Sequence, residues 1–501
     1  MVDYKNKGIL GLIGVLLLFA IIALPTMGSV SLWEIDEGRY LVPARNAIEH
    51  GKWLIPEYNG GPRIQKPPLM VWLVAASSIL VNKGRVNEFS ARLPSFLAAV
   101  GTLIILFLLV KYDTQREDLA LISTLLLSTS YLFVRHARFA ITDMVLLFFI
   151  TSSIAAGVAA VRKKSTCFCI LSFLSAGLGF MTKGPVGVVI PFAVLLLWMI
   201  SEREGIAPLK KGIAIGFILM MAVILLWPLA AGPAFWKEFI LRSNLQRAFH
   251  NPSWKTNTFF YILNFPAHFV MPAVLIPAAA YAIKRYSRTP ISLYIVWFCT
   301  VFILFSVADT KRSSYILPLY PAASVISGYG LLKAKKSVLE VCRRLALAVA
   351  ATTGMAAAFA FAKHSSDIRW PLLMIAACLI LVLTTALIKD PARAIVAGCA
   401  LFAVGYTNLY QPIADRLYHS PRHCIERMKA HVDKAPLYVY GSLRANEYWY
   451  WGKRVIPDVE EALTTPYYFY TRRKKVILYG NYRRILCCSY QKERLCLYKV
   501  Y

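Results

Sequence analysis

Apolar runs of about 18–20 residues recur along most of this chain, and its charges are concentrated in the short segments between them. A run of that length matches one helix crossing a hydrocarbon core of ~30 Å, where every backbone polar group must find a partner within the chain. The runs fall at roughly 9–27, 92–110, 118–134, 143–161, 166–181, 185–200, 212–231, 258–283, 290–307, 315–332, 344–362, 370–388 and 394–410, about 13 spans. The chain is therefore expected to be an all-α polytopic membrane protein. Residues 9–27, preceded by Lys5 and Lys7, resemble a signal sequence. The run is long for one and no small-residue cleavage site follows, so it is expected to stay as a first helix with a cytoplasmic N-terminus.

Charge fixes the topology. Lys111/Arg116, Arg162–Lys164, Arg203/Lys210/Lys211, Lys284/Arg285/Arg288, Lys333/Lys335/Lys336/Arg343/Arg344 and Lys389/Arg393 all fall on the cytoplasmic side, provided that residues 67–82 do not cross. That stretch is short for a span and suits an interfacial or re-entrant helix. If it crossed, Arg162–Lys164 would move outside and Asp36 and Asp143 would lie on opposite faces. A second interfacial helix is expected over 37–50, with Tyr40, Leu41, Ala44 and Ile48 as its apolar stripe, Arg45, Asn46 and Glu49 facing away, and a kink at Pro43.

The formal charge of +30 does not signal a nucleic-acid partner, because the basic residues are spread among inter-helix loops and no basic recognition motif occurs. After residue 411 the composition turns mixed and polar. Pro421–Val432 reads as a helix, and Pro436–Tyr440, Lys475–Tyr479 and Leu495–Val500 read as strands, giving a small α/β domain over 412–501 beside a membrane domain over 1–411. Of ten cysteines, Cys167, Cys169, Cys299, Cys378 and Cys399 lie in apolar spans. Cys424, Cys487, Cys488 and Cys496 lie in the tail, where four cysteines allow three pairings. His419, His423 and His431 lack the spacing of a zinc site, and no Walker loop, nucleophile elbow or His-Glu-x-x-His is present.

The chemistry-bearing residues cluster in the outward loops. Asp36 and Glu37 follow the first span; a carboxylate there can accept a proton from an acceptor hydroxyl or phosphate, or only mark the helix end. Lys66, held by Pro67 and Pro68, suits a phosphate whose negative charge grows as a leaving group departs. Asp143 begins the 143–161 span and serves as its N-cap, as a second acidic group, or as both. Thr182-Lys183-Gly184-Pro185 is a tight cationic turn, Arg242 and Arg247 precede the 258–283 span, and Lys311-Arg312 with Tyr315 open the 315–332 span. Paired carboxylates with cations at a membrane face point to sugar transfer from a lipid-phosphate carrier.

These motifs resemble the aminoarabinose lipid A transferase (ArnT-like) and dolichyl-phosphate-mannose–protein mannosyltransferase-like family. The resemblance rests on Asp36-Glu37-x-Arg39-Tyr40, Gly51-Lys52-Trp53-Leu54-Ile55-Pro56, Asn59-Gly60, Lys66-Pro67-Pro68 with Trp72, Asn87-Glu88-Phe89-x-x-Arg92-Leu93, Phe139 to Asp143, Thr182 to Pro185, Gln246-Arg247 and Tyr315-Ile316-Leu317-Pro318, and covers roughly residues 9–330. It implies a GT-C membrane fold with two interfacial helices, a polyprenyl-phosphate sugar donor and inversion at the anomeric carbon. By motif position it implies Asp36 as catalytic carboxylate and Lys66, Arg247 and Tyr315 on the donor phosphate. Asp143 would be the second acid, and Arg39 would support the site. Glu37 and Lys183 complete the candidate catalytic and phosphate-binding sets. Gln65 stands where the family often has Glu, which removes a carboxylate, and no cofactor or metal is expected. Gly38 and Pro43 also depart from the family's helix-friendly residues.

The resemblance further implies a bacterial inner-membrane enzyme with its site and C-terminal domain facing the periplasm, acting on a lipid A-type glycolipid among membrane lipids. Protein O-mannosyl transfer is the alternative within the family. A lipid-linked sugar transporter or flippase is the alternative outside it; transporters tend to place ionisable groups near mid-membrane with repeated halves, and neither pattern is evident.

Overall fold

The computed structural model describes residues 2–32, 35–58, 61–233, 235, 237–240, 257, 259–285, 290–364, 367–417, 421–432, 437–440, 449–451, 455–457, 467–471, 482–490 and 493–500. Among them, eight helices are long and apolar enough to span a bilayer, and two bent helix pairs qualify if each counts as one span. The remaining three expected spans are shorter apolar helices within Gly8–Ala23, Val186–Glu202 and Ser292–Val307.

The first ten helices carry Asp36, Glu37, Arg92, Asp143 and Lys183. They are α1 (Val2–Ala23), α2 (Ile35–His50), α3 (Leu69–Asn82), α4 (Glu88–Thr114), α5 (Glu117–Thr129), α6 (Tyr131–Ala137), α7 (Thr142–Lys163), α8 (Thr166–Lys183), α9 (Val186–Glu202) and α10 (Lys210–Ala231). At 14 residues α3 is about 21 Å long, too short for the bilayer core. Helix α2 buries Tyr40, Leu41, Ala44 and Ala47 and exposes Glu49, and it continues as helix through Pro43. A short hairpin, β1 (Glu57–Tyr58) with β2 (Gly61–Pro62), joins α2 to the α3 segment.

Two expected spans are broken. Residues 118–134 bend by 67° between α5 and α6. There Ser130 is extended, and Ser128, Thr129 and Ser130 return their hydroxyls to carbonyls three or four residues back, competing with the helix ladder. Residues 258–283 bend by 107° between Phe260–Phe269 and Met271–Arg285, where Val270 takes φ +50° between Pro266 and Pro272. The 315–332 span opens with a 3₁₀ stretch, Ser313–Leu319, before helix Tyr320–Lys333. The last span passes through a π-helical turn at Tyr406–Tyr410 into Gln411–Leu417.

Antiparallel packing sorts the charges by end. Helix α7 carries Asp143 in its first turn and Arg162–Lys163 in its last, about 30 Å away. Beside it, α4 begins near Arg92 and ends near Lys111 and Asp113, while α8 runs back to Lys183. At the far end Arg162 meets Asp113 at 3.9 Å and Glu204 at 3.0 Å.

The C-terminal part contains helix Pro421–Lys429 and a five-stranded sheet ordered β4-β3-β5-β7-β6, from β3 (Leu437–Tyr440), β4 (Val455–Pro457), β5 (Tyr467–Thr471), β6 (Tyr482–Tyr490) and β7 (Glu493–Val500). Strands β3, β4 and β5 pair parallel, and β5, β6 and β7 pair antiparallel. Lys475–Tyr479, expected as a strand, lies outside the described residues. Cys487 and Cys496 face each other across β6 and β7 and form a disulfide; Cys424 is also disulfide-bonded. Leu437, Tyr470, Leu495 and Leu497 belong to the same apolar core as the membrane helices.

Candidate active site

Glu37 is completely buried, and both its oxygens are taken by Arg92, with Nε–Oε1 at 2.8 Å and Nη2–Oε2 at 2.9 Å. Arg92 also donates to the carbonyls of Met27, Val30 and Ser31, and the Ala140 amide donates to Glu37 Oε1 at 2.9 Å. One buried ion pair thus ties the loop before α2, the start of α4 and the loop before α7 together. Since Glu37 adjoins Asp36 and Ala140 lies three residues before Asp143, the two acids stand at the same end of the bundle.

Asp36, in the first turn of α2, stays half-exposed. It accepts from Arg39 at 2.7 Å, and Arg312 approaches its other oxygen at 3.5 Å. Three residues after Arg312, Tyr315 presents its ring 4.8 Å from Lys183 Nζ, and Lys183 donates to Asp143 at 2.7 Å. The 312–315 segment therefore touches both acid loci. Asp143 is the second residue of α7, after an extended Ile141 in the capping position, so it is not the N-cap expected from the sequence; its carboxylate is engaged by Lys183, and it sits in the positive first turn of the helix. Lys66, half-buried ahead of α3, also acts on the charge of Asp143.

Local sequence explains where Lys183 sits. Gly184 ends α8 with φ +92°, a conformation that glycine adopts without strain. Gly187 then lets α9 pass against α8, since a Cβ there would stand 2.2 Å from the Gly179 carbonyl carbon. The Lys183 turn is set by these two glycines. Arg247 and Arg242 lie outside the described residues.

The sequence did not single out Arg63, which is 8% exposed and stacks its guanidinium 4.4 Å from the centre of the Tyr40 ring. Burial pulls its pKa below the ordinary arginine value, with Tyr40 and Asp36 opposing and Arg39 adding to the pull. Tyr40 in turn acts electrostatically on Lys183. The available signal was the Gly61-Pro62-Arg63 turn, a cation in a tight loop three residues before Lys66. The C-terminal contacts were also not foreseen. Asp415 accepts from the amide and hydroxyl of Ser31 at 3.2 and 2.9 Å, and the Leu32 amide donates to the Tyr450 hydroxyl at 2.7 Å. Arg138 bonds the Thr407 carbonyl and the Thr26 hydroxyl. Among the described residues, no group of three or more His, Cys, Asp or Glu side chains is arranged to hold a metal ion.

A polytopic helical bundle with two short helices and two acid–cation loci at one end is the arrangement that the family resemblance leads one to expect. Comparisons with known proteins agree. The family profile of dolichyl-phosphate-mannose-protein mannosyltransferases matches residues 8–236. An uncharacterized protein of Aquifex aeolicus (strain VF5) is 30% identical over 314 residues, 61% of this chain and 69% of that protein. The undecaprenyl phosphate-alpha-4-amino-4-deoxy-L-arabinose arabinosyl transferase of Shewanella sediminis (strain HAW-EB3) is 28% identical over 329 residues, 64% of this chain and 59% of that protein. The crystal structure of ArnT from Cupriavidus metallidurans bound to undecaprenyl phosphate superposes with a TM-score of 0.78 at 17% identity, covering 99% of this chain and 98% of that one. The chain belongs to the ArnT-like and dolichyl-phosphate-mannose-protein mannosyltransferase-like family. Its alignments span 63%, 69% and 59% of the lengths of three curated relatives.

Proposed function

We propose that this chain is an inverting glycosyltransferase that moves a sugar from a polyprenyl-phosphate donor to a lipid A-type glycolipid at the outer face of the bacterial inner membrane. One observation carries the reading: the 312–315 segment reaches Asp36 through Arg312 and the Asp143–Lys183 pair through Tyr315. A base and a phosphate cradle thereby share one site. The activity named for the Shewanella relative and the undecaprenyl phosphate bound to the Cupriavidus protein support the donor class.

In this reading the acceptor oxygen attacks the anomeric carbon in line, and the bond from that carbon to the phosphate oxygen breaks. The electron pair leaves with the polyprenyl phosphate. Asp36 takes or orients the acceptor proton. Lys66, Lys183, Tyr315, Arg247 and Arg39 stabilise the phosphate charge as it develops. Asp143 holds Lys183 toward that charge, and Glu37 acts as a positioning residue through Arg92. The disulfides in the tail support an oxidising, extracytoplasmic compartment for the C-terminal part, which we delimit as 412–501 against a membrane domain of 1–411.

The test is reconstitution of the purified protein with undecaprenyl phosphate-linked 4-amino-4-deoxy-L-arabinose and lipid A, followed by mass spectrometry of the lipid. A mass gain that is absent with Asp36→Asn supports the proposal. Transfer to a secreted peptide instead would reassign the acceptor, and lipid translocation without transfer would replace the enzyme reading with a flippase.

A further inference from the structure

Arg63 is a buried cation at this site whose hydrogen bonding is left incomplete. Its Nη1 is shielded from solvent and has no hydrogen-bond partner. Among the described residues, no carboxylate lies within ion-pair distance of its guanidinium, whereas Arg92, equally buried in this region, has partners for all three nitrogens. A buried guanidinium with an open donor is costly, and an arriving oxygen acceptor, above all an anionic one, would relieve that cost. Two features hold the group ready. Its guanidinium carbon stands 4.4 Å from the centre of the Tyr40 ring, and its backbone amide is anchored to the Pro56 carbonyl at 2.7 Å.

Its surroundings indicate which substrate it meets. Tyr40, over which it stands at 4.4 Å, lies one helical turn after Asp36 on α2, and Asp36 also acts on its charge, so it belongs to the Asp36 locus. Lys183 and Lys66 act on Asp143 instead, with the Tyr315 ring against Lys183. Tyr40 stands between the two, with Arg63 on its ring and Lys183 within its electrostatic reach.

We propose that Arg63 is an acceptor-binding residue, whose open Nη1 donates a charge-assisted hydrogen bond to an anionic oxygen of the acceptor next to Asp36. This rests on the transferase reading above. A guanidinium presents a planar fork of donors beside the Tyr40 ring, so a lysine, with a point charge and no fork, replaces it poorly.

The experiment compares wild type with Arg63→Gln and Arg63→Lys, using lipid A and its dephosphorylated form as probes. Binding is read by native mass spectrometry without donor, so it needs no turnover, and steady-state kinetics follow. Arg63→Gln is expected to weaken lipid A binding and raise its KM about 10-fold or more, the scale of one charge-assisted hydrogen bond. The donor KM should stay within about twofold, and preference for lipid A over the dephosphorylated form should collapse. Arg63→Lys should fall between, and it serves as the informative variant if Arg63→Gln does not fold. Unchanged lipid A binding and preference in both variants, or a rise confined to the donor KM, would overturn the assignment. Equal losses for both lipids with a lowered melting temperature would show that the Tyr40 stack is packing alone. A wild type that binds lipid A through Arg63 yet transfers nothing would refute the transferase reading and leave the binding assignment standing.

Discussion

Arg92 and Glu37 form a fully buried, two-pronged ion pair joining α4 to the first turn of α2, one residue after Asp36. Removing one partner of such a pair leaves an uncompensated buried charge and costs about 3–5 kcal/mol. Glu37→Gln is therefore expected to destabilise the protein by about that amount, as read by thermal unfolding in detergent. Replacing both partners with apolar residues should not restore stability. Arg92 also satisfies the carbonyls of Met27, Val30 and Ser31, and these would be orphaned. A stable double replacement would show that the pair is not what holds the loop.

Asp36 is the opposite case. Its ion pairs with Arg39 and Arg312 are largely solvent-exposed, and such pairs contribute under about 1 kcal/mol. Asp36→Asn should leave the melting temperature nearly unchanged while lowering the rate of transfer by about 10²–10⁴, the range for a lost general base. Rate and stability are measured on the same preparation. A large stability loss would mean that Asp36 is a structural group.

Lys183 is expected to act on the donor. It is held between Asp143 at 2.7 Å and the Tyr315 ring at 4.8 Å. Lys183→Met would leave Asp143 without that partner and remove a cation from the phosphate locus. The expected outcome is a raised KM for the polyprenyl-phosphate donor with little change for the acceptor. Tyr315→Phe removes the hydroxyl offered to the phosphate and should weaken donor use, and Tyr315→Ala, which also removes the ring beside Lys183, should be stronger, because a cation–π contact contributes about 0.5–2 kcal/mol. If Phe and Ala behave alike, the hydroxyl, and not the ring, is what matters. Lys66→Ala should likewise weaken donor use.

How much of this could be read from the sequence depended on range. Hydrophobic run length is local, so the thirteen helical positions and the short α3 were legible, and so was the shared end of Asp36 and Asp143 once α3 was kept out of the bilayer. The two broken spans were not. Average apolarity does not register the Ser128–Ser130 hydroxyls, and the Pro266 and Pro272 pair was visible but outweighed by the long apolar run. Glu37 illustrates the other limit. Two adjacent acids look alike in sequence, but successive residues of a helix point in different directions, so Asp36 faces the site and Glu37 turns inward to an arginine 55 residues away. Arg63 was signalled only by its place between Gly61-Pro62 and Lys66, and the tail contacts at Ser31 and Leu32 depend on long-range packing that no motif encodes.

Tyr450 ties that tail to the site loop, and its titration tests the link. Its hydroxyl accepts from the Leu32 amide at 2.7 Å and lies 3.3 Å from Glu88 Oε1. Burial, reinforced by the Glu88 charge, raises the phenol well above its ordinary value near 10. In the unfolded chain it would ionise at about 10, while in the folded protein it stays protonated. Below pH ~10 both states hold the proton and the contribution to stability is complete; above it the unfolded state releases its proton first, and the contribution falls as pH climbs toward the folded value. Tyr450→Phe leaves the Leu32 amide unpaired, at a cost of about 1–3 kcal/mol near neutral pH. The stability gap between wild type and Tyr450→Phe should thus be flat from pH 7 to about 9.5 and narrow above about 10. Thermal unfolding of both proteins across that range measures it. A gap that widens with alkalinity, or no gap at neutral pH, would show that Tyr450 does not clamp the loop that leads to Asp36.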